Sequence, residues 1–149
     1  MVKNDIWDVL SGKESSALAR LNNKLDATLA EQARLEQKIS DIEVYIEEYA
    51  ERIRCNESER ANFQMMHQSM KLIGQLNDAK AQLQQVHAGL EQSVGLQRKK
   101  ITHHEMERLK YRKLSERQAE KASAALDKRE TSVGDAAAIQ QFGRVALGR

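Results

Sequence analysis

From Leu18 to Ile53 the chain alternates steps of three and four residues without a break: Leu18, Leu21, Leu25, Thr28, Gln32, Leu35, Ile39, Ile42, Ile46, Tyr49 and Ile53. Eight of these eleven positions are aliphatic, which makes a heptad seam of about five repeats. The mean step lies below the 3.6 residues per turn of a straight helix, so a partner helix is expected to wrap around it with left-handed supercoil. A helix is predicted over about 13–54, with Ser11-Gly12 before it as punctuation and Ser15 or Ser16 as its cap.

The periodicity stops near Cys55, and a polar stretch over about 55–62 is the expected turn. Phe63, Met66, Met70 and Ile73 open a second helix, predicted over about 63–131, whose clearest seam is Leu76, Ala79, Leu83, Val86 and Leu90. Gly74, Gly89 and Gly95 should soften it, at about 1 kcal/mol each relative to Ala. Beyond Ile101 the apolar positions thin out. With a bend near residue 58, helix one covers helix two only to about residue 102, and 103–131 overhang or meet the first residues of the chain. The segment 132–149, with Gly134, Gly143 and Gly148, is expected to be a flexible tail. The expected fold is therefore all-α, an antiparallel coiled-coil hairpin forming a single unit over 1–130. The alternative is one continuous helical rod of about 115 residues.

Composition narrows the choice. There is no proline, 31% of the residues are charged and only 4% are aromatic, a profile of coiled coil rather than of a globular core. No stretch approaches the roughly 20 apolar residues of a membrane span, and the N-terminal residues lack the apolar run of a signal peptide. A lone cysteine, Cys55, fits a reducing compartment, so a cytoplasmic protein with no integral membrane segment is expected.

Charge is uneven. Residues 1–75 hold ten Lys and Arg against thirteen Asp and Glu, a net of −3, while residues 76–149 hold fourteen against nine, a net of +5. The excess gathers in Arg98, Lys99 and Lys100 and in Arg108, Lys110, Arg112, Lys113, Arg117 and Lys121, a basic arm. Nucleic-acid binding would use such an arm by phosphate neutralisation, but Glu105, Glu107, Glu116 and Glu120 interleave with it and only Tyr111 offers a stacking surface. No nucleic-acid partner is expected.

Catalytic, metal and cofactor sites are not expected either. His103 and His104 point about 100° apart on a helix and cannot close on one ion, so the histidines read as solvated. No phosphate-binding glycine loop and no CxxC occurs, and a two-helix structure offers no cleft from which to exclude water. Tyr45 and Tyr49 lie four apart, on one helix face. Tyr49 sits on the seam and Tyr45 at its shoulder, where an aromatic pair serves either to close the hairpin edge or to anchor a partner. The cluster of Phe63, Met65, Met66 and Met70 reads either as the end of the hairpin core or as an adaptable docking surface.

The run Ile42-Glu43-Val44-Tyr45-Ile46-Glu47-Glu48-Tyr49, then a polar turn, then Leu72-Ile73-Gly74-Gln75-Leu76-Asn77-Asp78-Ala79, and a basic helix ending Lys128-Arg129-Glu130, resembles the FliJ family of flagellar export stalk proteins. The family's gate-binding spacing falls here on Lys38, Ile42, Tyr45 and Tyr49 in the first helix, and on Leu72, Leu76, Ala79 and Leu83 in the second. Tyr45, Tyr49, Leu76 and Ala79 keep the family residue. Ile42 and Leu72 are apolar replacements, and Lys38 and Leu83 are departures.

The resemblance implies a nonenzymatic stalk that inserts into a hexameric export ATPase, promotes its assembly, touches the membrane export gate and binds flagellar escort chaperones. It implies a position at the cytoplasmic face of the inner membrane. The nine residues of the basic arm, from Arg98 to Lys121, would then face the ATPase ring. Virulence secretion systems have an equivalent YscO-type stalk that fits the same pattern. The rival readings are a generic coiled-coil scaffold or chaperone and a basic-helix nucleic-acid binder.

Overall fold

The computed structural model describes residues 6–56 and 63–147. Every described residue is helical, in α1 (Ile6–Asn56) and α2 (Phe63–Leu147). The two helices pack against each other as a helical hairpin, so the single continuous rod is set aside. Cys55 and Asn56 belong to α1, and the rest of the expected turn, 57–62, lies outside the described residues.

Two boundaries differ from the sequence reading. Helix α1 begins at Ile6 rather than near Lys13 and carries Ser11 and Gly12 in its interior. The heptad phase of the seam extends back through Glu14 and Ser11 to Trp7, all half-buried, so packing on α2 overrides the local preference of Ser-Gly for a helix start. At the other end, 132–147 continues α2 as helix rather than leaving it as a flexible tail. Ala136, Ala137 and Ala138 are the strongest helix formers, and the glycines there lie in ordinary helical backbone, since no glycine among the described residues has positive φ.

The helices divide into two compact units. One is Leu18–His103; the other joins Met1–Ala17 to His104–Arg149. In the first, all eleven positions of the predicted α1 seam are buried or half-buried. The pairing is antiparallel: Thr28 meets Gln97, Glu36 meets His87 and Glu43 meets Lys80. Among the described residues the buried apolar ones, Leu18, Leu35, Val94 and Ile101, all belong to this unit.

The α2 seam departs from expectation at one point. Val86 is 54% exposed, and the half-buried position is His87. The sheltered positions run Leu83, His87, Leu90, Val94, Gln97 and Ile101. Two successive steps of four, from Ala79 through Leu83 to His87, form a stutter that locally relaxes the supercoil. Met66 is half-buried, while Phe63, Met65 and Met70 are exposed, so only Met66 of that cluster joins the hairpin face.

Candidate functional site

Gln97 is 92% buried between the helices of the larger unit, with 8% of its surface exposed. Its side-chain N–H donates to Thr28 Oγ1 at 3.1 Å and to Ser93 Oγ at 3.4 Å, while its Oε1 is buried without a partner. Thr28 and Gln32, the two polar positions of the α1 seam, face this level. A polar layer inside an apolar seam weakens packing but fixes which residues pair.

The eight residues of the expected gate surface fall together in this unit. Lys80 Nζ lies 3.0 Å from Glu43, and that register sets α1 from Lys38 to Tyr49 alongside α2 from Leu72 to Leu83. Ile42, Leu72, Leu76, Ala79 and Leu83 are half-buried between the helices. What this stretch presents outward is Lys38, Tyr45, which is 53% exposed, and the edge of Tyr49, whose ring lies 5.1 Å from the Arg52 guanidinium. Five residues of the set are thus positioned to support the hairpin, and three are positioned to touch a partner. Behind them, on the outer face of α1, Val44, Glu47, Glu48, Glu51, Arg52 and Cys55 line a shallow acidic groove.

The basic arm divides. Arg98, Lys99 and Lys100 are exposed in the larger unit; Arg108, Lys110, Arg112, Lys113, Arg117 and Lys121 belong to the other. In that second unit α2 shows α1 a face of His104, Arg108, Tyr111 and Ser115. His104 Nδ1 pairs with Glu14, the Ser115 hydroxyl donates to Asp8, and Trp7 stacks on Tyr111 with ring centroids 6.1 Å apart. The opposite face carries Met106, Lys110, Lys113 and Arg117, with Leu109 and Leu114 beside them in one groove. Of the interleaved glutamates only Glu120, one turn beyond Arg117, shares this face. Glu107 sits at its edge near Tyr111, and Glu105 and Glu116 lie on the flank, with Glu116 3.9 Å from Arg112. The result is a column of positive charge with an apolar strip, set on the side away from α1.

The cross-helix clasp was not legible as such. His104 and His87, expected to be solvated, are half-buried against Glu14 and Glu36 respectively. Each carboxylate lies across the hairpin from its imidazole, and only the register between the helices could have linked them. Half-buried Tyr111 has its phenol pKa raised from 10.0, first by removal from water, then by the Glu107 carboxylate one turn before it and by Glu14. Among the described residues no group of three or more His, Cys, Asp or Glu is placed to hold a metal ion. None of their helices is long and apolar enough to cross a membrane.

A family model described as flagellar FliJ protein matches residues 13–147. No curated protein and no solved structure matches the chain.

Proposed function

The chain belongs to the FliJ family, and so to the components of the flagellar export apparatus; from that premise we propose that it is the nonenzymatic stalk of the export ATPase. In this reading unit Met1–Ala17 with His104–Arg149 enters the hexameric ring and promotes its assembly. The observation that carries it is the column Lys110, Lys113, Arg117 on α2, turned away from α1 and edged by Met106 and Leu109. Such a face suits an acidic wall with apolar footholds, because charge speeds and orients the encounter while the apolar strip contributes affinity.

Tyr45, Tyr49 and Lys38 are the residues proposed to meet the membrane export gate. Ile42, Leu72, Leu76, Ala79 and Leu83 hold that stretch in shape. Escort chaperones are the further expected partners, and association with the cytoplasmic face of the inner membrane would follow from gate and ring contacts rather than from a membrane span.

The test is ATP turnover by the cognate export ATPase, titrated with this protein at a concentration where the ATPase alone is mostly monomeric. Stimulation at low stoichiometry together with ring formation is expected, and Lys113→Glu with Arg117→Glu should abolish both while leaving helicity unchanged. No stimulation at tens of micromolar would sink the stalk reading and leave a coiled-coil scaffold.

A further inference from the structure

The face of α2 that packs on α1 does not stop where α1 does. His104, Arg108, Tyr111 and Ser115 hold that face against α1, and stepping onward at heptad spacing it continues through Ala122, Leu126, Arg129, Glu130 and Val133 to Ala137. Asp8 lies opposite Ser115, so the described part of α1 reaches only slightly beyond that level. From Glu116 to Ala146 every residue is exposed except Gly143. Leu126 and Val133 are 59% and 69% exposed, and with Arg129, Glu130 and Gly134 they line one shallow groove.

This groove has an internal symmetry. An apolar residue, two intervening residues, a base, an acid, two intervening residues and an apolar residue read Leu126, Arg129, Glu130, Val133. Turned end for end, the pattern complements itself. An antiparallel second copy centred between Arg129 and Glu130 sets Leu126 on the partner's Val133, Arg129 on the partner's Glu130, and Ala122 on the partner's Ala137, each contact occurring twice. Among the described residues neither Arg129 nor Glu130 takes part in an ion pair. A parallel arrangement would set Arg129 against Arg129.

We infer that α2 beyond Ser115 is a homotypic docking surface, on which two copies of this chain pair antiparallel about a two-fold axis between Arg129 and Glu130. The contact is isologous, so it closes at two copies and does not propagate. The apolar contribution is small, two Leu–Val contacts flanked by alanines, which makes the pairing weak and concentration-dependent. It lies on the opposite side of α2 from the Lys110, Lys113 and Arg117 column, and it does not depend on what that column binds.

Charge reversal tests it, because both residues are exposed and neither change disturbs the hairpin. Sedimentation velocity from low micromolar to several hundred micromolar should show the native chain passing from monomer to dimer. Arg129→Glu alone and Glu130→Arg alone should each weaken self-association by roughly tenfold or more, since two attractive cross-pairs become repulsive. Mixing the two variants should restore pairing as a one-to-one heterodimer, because one then presents two acids and the other two bases. A native chain that stays monomeric overturns the inference. So does self-association that neither reversal affects, which would use another surface, or a pair of weakened variants that fail to rescue each other.

Discussion

The two units of this chain are both helix on helix, yet they are held by different means. Unit Leu18–His103 has Leu18, Leu35, Val94 and Ile101 buried in its seam. The other has no buried apolar residue among those described; it holds Ile6–Ala17 to α2 by an imidazole–carboxylate pair, a hydroxyl–carboxylate bond and one stacked aromatic pair. Apolar burial contributes in proportion to area and is indifferent to direction, whereas half-exposed polar contacts contribute about 1 kcal/mol or less apiece. The same kind of helix is therefore anchored firmly in one unit and held loosely in the other. The loosely held unit is the one that carries the basic column.

Removing one leucine from each unit should expose that difference most. Leu35→Ala should cost about 2–4 kcal/mol, since it leaves a hole in a closed seam. Leu126→Ala, measured at low micromolar concentration, should stay within about 0.5 kcal/mol. Urea unfolding followed by circular dichroism checks both, and equal losses would mean that the second unit has an apolar core of its own.

A smaller effect should come from glycine. A Cβ built at Gly89 or at Gly134 meets nothing within 4 Å, so each Gly→Ala change offers up to about 1 kcal/mol of helix propensity. Gly89→Ala should raise the cooperative unfolding midpoint. Gly134→Ala should instead raise helical content at low denaturant without moving that midpoint. A midpoint shift from both would show the two units melting as one.

The smallest effect is confined to alkaline solution. Tyr111 has a folded pKa above its ordinary value of 10.0, so folding favours the neutral phenol. That contribution is complete below the unfolded pKa and is lost as pH rises through the folded one. The start of α1 should therefore loosen only above about pH 10, read as faster amide exchange over 6–17. Tyr111→Phe keeps the ring against Trp7 and should abolish this pH dependence. Loosening that persists in the variant would assign the effect to another group.

Much of the fold was legible in the residues themselves. The α1 seam could be written out position by position because it keeps strict heptad phase and is mostly aliphatic. The α2 seam could not, since the stutter shifts the phase and Val86 looks like a core residue while His87 does not. A one-residue offset cannot be seen until the partner helix fixes which side is inward. The early start of α1 is hidden in the sequence for a related reason: Ser11-Gly12 reads locally as a break, and what overrides it is Trp7 reaching Tyr111 more than a hundred residues away. At the candidate sites, the sequence supplied the identities of the basic residues but not their division between two units, nor the single face shared by Lys110, Lys113 and Arg117. The expected gate set came from the family resemblance, and the structure adds that five of its eight members are half-buried in the hairpin.

Gln97 has a mechanical consequence. Its amide is satisfied on one side only by Thr28 and Ser93, and sliding α2 by one heptad would set it against Leu21 or Leu35, where its N–H would find no oxygen across the seam. Each such slip strands a buried donor, so α1 and α2 have one notch in which they mesh. Under an axial pull the pair should resist creeping past that notch and hold the spacing along the hairpin constant, until the force is large enough to separate the helices altogether.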